Sequence, residues 1–541
     1  MPLPASRFWP LLLSLLGGLL LWAGWPVSPL TLLLFVAWVP LLFVEKQVHN
    51  WKRFFGYAYL HFLVWNILTT WWVWNASVEG AWGAFLVNSL VMTIPWILFK
   101  FTRRQFGDRL GYASLVLYWL SFEFLHLNWE LSWPWLNLGN AFAMHPEWVQ
   151  WYEYTGASGG TLWLLLSNLF AFFLLQAYRG GSRGPAYRRW LISFVLVLIL
   201  PILLSKLLIP HEKTIASQAL AAADRNVVVV QPNIDPYTEK FTGDIESQIQ
   251  KLIVLSEQQI DRNTRLLLWP ETAVPAQVRE DQIKEDFRFA PIWSFLKRHP
   301  QINLLTGLDS YQEYGTDKAN ASSTARLHKP SGIYYDMFNT AALMEPDSTV
   351  QYYHKGKLVP GVESLPSFLN FMSQWFEDFG GTSGTLGRDS ERKVFVPWDE
   401  YYKSAPIICY ESIYGDYITE FVRNGANILT VITNDGWWDN TPGYRQHMNY
   451  ARLRAIETRK WVARSANTGI SCFIDPLGNV LKPQPWDKAA AIKMNIPVDQ
   501  RQTFFVKYGD ILSRTATFAG LAMLALLVGF AIRNKIEKRS R

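Results

Sequence analysis

Ala405-Pro406-Ile407-Ile408-Cys409-Tyr410-Glu411-Ser412-Ile413-Tyr414-Gly415-Asp416 is a short apolar run that stops at a cysteine and turns polar at once. Such a run reads as a buried strand, and the polar residues after Cys409 read as the start of a helix. A thiol at a strand-to-helix turn sits at the edge of a sheet, where the helix's free N–H groups and positive dipole end favour a thiolate. Only two cysteines occur in 541 residues, so the chain is not built on a disulfide framework. Cys409 is then either a small core residue or a reactive nucleophile.

Two other stretches also end with a chemically active residue just past a strand. Leu266-Leu267-Leu268-Trp269-Pro270-Glu271 delivers Glu271, and Tyr352-Tyr353-His354-Lys355-Gly356-Lys357 delivers Lys355 or Lys357. A carboxylate beside a thiol can act as a general base, and a lysine can hold the charge that develops on a carbonyl oxygen during acyl transfer. Taken singly, each could equally be a solvated turn residue or surface charge. Their joint order around a cysteine is what makes up a cysteine acyl-transfer site.

Composition places these stretches in a membrane protein. Half of the residues are hydrophobic, 27 are Trp, and only 18% are charged, against about 25% in a typical soluble chain. The apolar excess is concentrated in runs near the length of a bilayer crossing. Spans are expected at about Phe8–Gly24, Pro29–Val44, Phe54–Val73, Trp82–Phe101, Leu110–Leu127, Gly160–Ala177, Trp190–Ile209 and Ile511–Ile532, which makes eight. The first is read as a retained span, since another apolar run follows it with no clear cleavage site.

Lys and Arg gather in alternate connections: Lys46, Lys52 and Arg53; Lys100, Arg103, Arg104 and Arg109; Arg179, Arg183, Arg188 and Arg189; and the tail from Arg533 to Arg541. The loops 25–28, 74–81 and 128–159 have none. Positive loops stay cytoplasmic, so both termini are expected inside and residues 210–510 outside. The net charge of +7 is accounted for by these loops and tail, which contact anionic lipid, and no nucleic-acid module is recognisable.

The segment 210–510 has a different texture. Asn226–Val230, Arg265–Trp269, Asn303–Leu308, Asn339–Met344, Ala405–Cys409, Asn427–Thr433 and Ile470–Ile474 are expected strands, and Gly243–Asn263 and Tyr444–Lys460 expected helices. The chain therefore divides into 1–209 with seven spans, an α/β domain over 210–510, and an eighth span with a basic tail over 511–541.

Trp269-Pro270-Glu271, Tyr353-His354-Lys355 with Leu358-Val359-Pro360, and Ile408-Cys409-Tyr410-Glu411 resemble the Glu-Lys-Cys triad motifs of the nitrilase superfamily. With eight spans around them, the chain resembles the apolipoprotein N-acyltransferase family over nearly its whole length. The resemblance implies an αββα sandwich on the periplasmic side of the bacterial inner membrane. It also implies transfer of an acyl chain from a phospholipid to the α-amino group of a lipoprotein's diacylglyceryl-cysteine, through a thioester. Carried over, Cys409 is the nucleophile, Glu271 the general base and Lys355 the oxyanion-stabilising charge. Glu363 matches the family's second glutamate, Tyr410 and Glu411 the pair beside the nucleophile, and Asn434-Asp435-Gly436-Trp437 its Asn-Asp-Ala/Gly-Trp loop. Two departures stand out: Pro360-Gly361-Val362-Glu363 replaces Pro-Phe-Gly-Glu, and Phe241 falls where many members place a tryptophan.

The apolar stretch Leu365, Phe368, Leu369, Phe371, Met372, Trp375 and Phe376 suits either an interfacial lid or a core helix. Glu123 and His126 are candidates to meet a phospholipid head group. No cofactor is implied, His354 and His447 lack metal-ligand spacing, Cys472 reads as core, and nothing calls for a partner subunit, so a monomer is expected. Two other classes compete with the acyltransferase: a membrane-tethered amidase with the same triad, and a non-catalytic lipid-binding or transport protein. Replacing Cys409 separates the enzymes from the last.

Overall fold

A computed structural model describes residues 8–180, 184–240, 242–365 and 385–539. The chain forms two compact units. One comprises residues up to Trp74, then Val78–Leu207 and Tyr508–Arg541; the other comprises Asn75–Ser77 and Leu208–Lys507.

The first unit is helical. Among the described residues, four helices are long and apolar enough to cross a membrane: Val78–His126, Ala157–Arg179, Pro185–Ala222 and Ile511–Glu537. The eight expected spans do not all form separate long helices. Phe8–Gly24 is a helix with the expected bounds but only 17 residues long. Pro29–Val44 is broken into a 3-10 turn, Thr31–Phe35, and a helix, Val39–Gln47. The buried Asn168 amide stitches that break, accepting from Trp38 N at 2.7 Å and donating to Leu34 O at 2.8 Å. Backbone groups freed inside an apolar region must find such partners. The expected spans Trp82–Phe101 and Leu110–Leu127 lie on one helical run, bent at Gly107, whose φ of 81° and ψ of 179° are open to glycine. Glu123 is not free to meet a head group: its carboxylate accepts from Trp119 Nε1, Leu138 N and Thr161 Oγ1 at 2.9, 2.7 and 2.6 Å.

The second unit is α/β. Its eight-stranded sheet runs β13 (Ala490–Asn495), β1 (Asn226–Gln231), β2 (Thr264–Leu268), β4 (Asn303–Gly315), β6 (Ile333–Met344), β5 (Arg326–His328). β3 (Val274–Arg279) pairs with β4, and β7 (Val350–His354) with β6. A five-stranded sheet runs β12 (Val480–Leu481), β11 (Cys472–Ile474), β10 (Val462–Ala466), β9 (Ile428–Thr433), β8 (Ser404–Ile408). β1, β2 and β4 are parallel, as are β8, β9 and β10. Parallel strands buried on both faces read as continuous apolar runs, and Val227–Val230 is fully buried for that reason.

Side chains alternate across a strand, so Val228 and Val230 face one way. They pack with Ile249 and Leu252 of the helix Ile245–Glu257 and with Trp293 and Phe295 of the helix Ala290–Arg298. On the other side the sheets meet, and Ser465 Oγ of β10 donates to Val230 O at 2.7 Å. β3, β5, β10, β12 and β13 were not expected from the sequence. The last two are half-exposed, and Val462–Ala466 carries Arg464 in its middle, which masks its apolar pattern.

Candidate active site

β8 ends at Ile408, and Cys409 follows with φ of 49°, a left-handed conformation that costs a non-glycine residue about 1–3 kcal/mol. The expected strand-to-helix turn is different in detail. Cys409–Ile413 is a single 3-10 turn, and the helix proper, Gly415–Arg423, begins six residues after the thiol. The strained turn is held from below. Ser412 Oγ donates to Cys409 O at 2.7 Å, and His447 Nε2 lies 3.1 Å from the same carbonyl and 2.8 Å from Ser412 Oγ. His447 Nδ1 meets Asp435 Oδ1 at 2.8 Å, and Arg464 Nη2 donates to Asp435 Oδ2 at 2.5 Å.

Glu271 sits two residues after Trp269, in a turn nested on β4. Gly307 is required there: a Cβ would stand 2.4 Å from Thr272 N and 2.6 Å from Glu271 Cα. Lys355 follows β7 directly. The two side chains meet, with Lys355 Nζ 3.2 Å from Glu271 Oε1, and Lys355 also donates to Glu363 Oε1 at 2.8 Å. Asn339, from β6, donates to both carboxylates, to Glu271 Oε1 and to Glu363 Oε1, each at 2.8 Å. The main-chain N–H of Asn434 donates to Glu271 Oε2 at 3.0 Å, and Val359 N to Glu363 Oε2 at 2.8 Å.

Acidities follow from this packing. Burial works against the Glu271 carboxylate, but the Lys355 charge and the Asn339 hydrogen bond outweigh it and hold the group below the usual range. Lys355 is buried too, yet Glu271 and Glu363 drive its acidity further down, so it stays cationic. Burial and the neighbouring Glu271 charge push the Cys409 thiol well above its ordinary value, against the opposing pull of Lys355. The thiolate expected from a helix N-terminus is therefore not the resting form. The site keeps a neutral thiol beside an ionised carboxylate, the arrangement in which a base must take the proton as sulfur attacks.

The remaining expected residues divide. Glu411 is buried and saturated: Oε1 accepts from Tyr353 OH at 2.6 Å, Gly356 N at 2.7 Å and Tyr417 OH at 2.9 Å, and Oε2 from Ile408 N at 2.8 Å. It ties the cysteine turn to the lysine loop. Tyr410 is buried edge-on to Tyr414 at 5.3 Å. Asn434 reaches Glu271 through its main chain, while its side-chain oxygen accepts from Gly436 N and Asn467 Nδ2. Trp437 packs edge-on against Tyr237, 5.3 Å between rings, rather than joining the ion-pair cluster. Phe241 lies outside the described residues, as do 366–384, which carry all of the apolar lid stretch but Leu365.

The sequence reading missed Asn339 and Lys240. Asn339 opens a strand that the reading did recognise, and a polar residue at such a position was the available signal. Lys240 is buried, donates to the Glu271 carbonyl at 3.2 Å, and is pulled down to about 8 by burial, with Glu271 and Asp309 opposing. The half-buried Asp309, opposite Asn339 in the β4–β6 ladder, is pushed up to about 6 by burial, against the pull of Lys240.

Residues 226–504 match the carbon-nitrogen hydrolase family, and residues 17–170 match the apolipoprotein N-acyltransferase N-terminal domain. An apolipoprotein N-acyltransferase of Chlorobaculum tepidum is 30% identical over 97% of both chains, and one of Geobacter metallireducens is 24% identical over 95% of this chain and 94% of its own. A solved carbon-nitrogen hydrolase from Helicobacter pylori G27 aligns over 52% of this chain and 92% of its own, at 16% identity and a TM-score of 0.36. Two matching domains in order and a relative alike from end to end lead to one conclusion: the chain belongs to the apolipoprotein N-acyltransferase family.

Proposed function

We propose that the protein transfers an acyl chain from a membrane phospholipid to the α-amino group of the N-terminal diacylglyceryl-cysteine of lipoproteins. What carries the reading is the buried Lys355–Glu271 pair at 3.2 Å, whose charges act on the protonated Cys409 thiol. A carboxylate held ionised next to a thiol held neutral suits proton transfer during attack, and a permanent ammonium suits a developing oxyanion.

In the first half-reaction Cys409 Sγ attacks an ester carbonyl of the phospholipid as its proton passes to Glu271. Lys355 and backbone N–H groups after Cys409 stabilise the tetrahedral oxyanion. The carbon–oxygen bond breaks, Glu271 returns the proton to the leaving alkoxide, and a lysophospholipid departs. In the second, the lipoprotein amine attacks the thioester, Glu271 takes the amine proton, the carbon–sulfur bond breaks, and the sulfur is reprotonated. Glu363 and Asn339 hold the Lys355–Glu271 pair in place; Tyr410, Glu411 and Asn434 shape the turn around the thiol. Phe241 and Trp437 are assigned to contacts with the lipid substrates.

The same reading makes the protein a monomer of the bacterial inner membrane with eight crossings, seven over 1–209 and one over 511–541, both termini cytoplasmic and the α/β domain periplasmic. Donor and acceptor are then both anchored in the bilayer, and a covalent intermediate lets them use one site in turn.

Intact-mass spectrometry of the purified full-length protein incubated with phospholipid tests the proposal. A fatty-acyl increment that requires Cys409 and moves to the amine of a diacylated lipopeptide supports it. An increment lost to water regardless of lipopeptide would make the protein a hydrolase, and no increment in wild type would remove the triad assignment.

A further inference from the structure

The second half-reaction releases one proton more than Glu271 can place. An α-amine, with a pKa of about 8, arrives largely as an ammonium at neutral pH and must lose a proton before its nitrogen can attack. It loses another once the carbon–nitrogen bond forms, and that one passes through Glu271 to sulfur. Glu271 is buried and holds hydrogen bonds from Lys355, Asn339 and Asn434 N. A first proton taken there would leave it unable to take the second, so the ammonium needs a different base.

The strand register sets a carboxylate beside Glu271. Asp309 of β4 pairs with Asn339 across the β4–β6 ladder. Directly opposed residues on antiparallel strands turn their side chains to one face, with Cβ atoms about 4.5–5.5 Å apart. From that face Asn339 reaches Glu271 and Glu363, each at 2.8 Å. Gly307, two residues back on β4 and therefore on the same face, is where a Cβ would stand 2.6 Å from Glu271 Cα. Ser310 and Thr340 meet on the opposite face, their hydroxyls 2.6 Å apart. Among the described residues the Asp309 carboxylate accepts no hydrogen bond and closes no ion pair. Lys240, which donates to Glu271 O at 3.2 Å, and Lys355 are the two ammoniums set against Glu271, Glu363 and Asp309, so one negative charge is left over. Burial pushes the Asp309 carboxyl up to about 6, Lys240 opposing and Glu271 and Glu363 adding to the push. That brings it toward the amine's own range, where a base is most effective.

We propose that Asp309 receives the acceptor's α-ammonium and takes its first proton. This rests on the acyltransferase reading and deepens it. One N–H bond of the ammonium breaks and its proton passes to the Asp309 carboxylate, which leaves a neutral amine with a lone pair. That pair forms the carbon–nitrogen bond, the second proton passes to Glu271, and the carbon–sulfur bond breaks as sulfur is reprotonated. Asp309 is half-buried and reaches water, so it gives its proton to solvent and is ready for the next acceptor. The phospholipid donor carries no proton that must leave before attack, so the need for Asp309 belongs to the second half-reaction.

The test is a single-turnover measurement on the full-length enzyme, loaded from phosphatidylglycerol and freed of donor, with intact mass following the acyl group as it leaves for a diacylated lipopeptide. Asp309→Asn should still load, then transfer about 10- to 100-fold more slowly than wild type at neutral pH, in line with one lost charge-assisted hydrogen bond. The deficit should shrink as pH rises and water deprotonates the amine, and it should vanish with hydroxylamine, which is uncharged at neutral pH. Lys240, pulled down to about 8 by burial, is present in both proteins, so the comparison cancels its own titration. Asp309→Glu should transfer faster than Asp309→Asn, and Asp309→Ser carries the same test if the asparagine variant does not load. No deficit, a deficit constant with pH, or an equal deficit on hydroxylamine would overturn the role of Asp309 and leave the acyltransferase standing. A wild-type thioester that passes to no lipopeptide would overturn both.

Discussion

Asn339 Nδ2 lies 2.8 Å from Glu271 Oε1 and gives that carboxylate a side-chain donor besides Lys355. The same amide also donates to Glu363, so one neutral residue joins two acids that a single lysine neutralises. Removing it should shift the Glu271 pKa upward. Asn339→Leu is expected to slow thioester formation about 10- to 100-fold at neutral pH and to move the acid limb of the rate profile to higher pH. The profile of loading rate against pH, measured by rapid-quench mass spectrometry, checks this; an unshifted limb would sink it.

Lys355 is fully buried between two carboxylates. Lys355→Met should cost about 3–5 kcal/mol, because it leaves both acids without their cation. The triple variant Lys355→Met, Glu271→Gln, Glu363→Gln should recover most of that stability while staying inactive. Cys409→Ala should load no acyl group and melt within a few degrees of wild type. Thermal unfolding in one detergent, followed by circular dichroism, compares all three.

Glu271→Gln keeps the shape of the proposed base and removes its proton affinity. Acyl loading should drop about 10²- to 10⁴-fold, the range for loss of a general base. The Cys409 pKa is held above its ordinary value by burial and by the Glu271 charge, so the same variant should alkylate faster with iodoacetamide at alkaline pH than wild type. Slower alkylation would show that the carboxylate does not act on the sulfur as described.

His354 lies between Glu280, at 2.6 Å from Nε2, and Asp389, at 3.1 Å from Nδ1, and stacks on Phe338. Burial lowers its pKa, but the two carboxylates outweigh that and raise it above the ordinary value. A raised histidine stabilises the fold fully below its unfolded value and loses that contribution as pH rises through the folded one. Asp389 is held down to about 2, despite burial, by His354 and Lys393, so its contribution is present above its unfolded value and is lost as pH falls toward 2. Stability should therefore be greatest at weakly acid pH. His354→Gln should flatten the alkaline side of a Tm-against-pH curve; an unchanged alkaline slope would contradict the assignment.

Gly307→Ala tests the backbone rather than a charge. Its Cβ would press on Thr272 N and Glu271 Cα, and misplacing a base by a fraction of an ångström costs rate steeply. Loading should fall about 10²-fold with Cys409 alkylation retained.

Individual residues show how far the sequence can be read. Ala405–Cys409 and Leu266–Glu271 were legible because a buried parallel strand needs an unbroken apolar run, and the polar residue that ends it stands at the sheet's edge. Glu363 was legible only by its spacing from Lys355. Val462–Ala466 was not legible as a strand, because Arg464 looks like a surface charge until Asp435, distant in sequence, is seen to neutralise it in the core. Asn339 and Lys240 escaped for a similar reason: their function lies in partners supplied by other strands and turns.

Local chemistry in the chain itself determined the membrane character, the α/β segment and the order Glu271, Lys355, Cys409, since hydropathy and strand endings depend on near neighbours. Tertiary structure alone decided the charge states and the aim of the site. Whether Cys409 rests as thiol or thiolate depends on burial and on charges more than fifty residues away in sequence. Helix bounds in the apolar part were decided the same way, by Gly107 bending one run and Asn168 closing another. Electrostatic energy depends on distance and desolvation, and neither exists before the chain has folded.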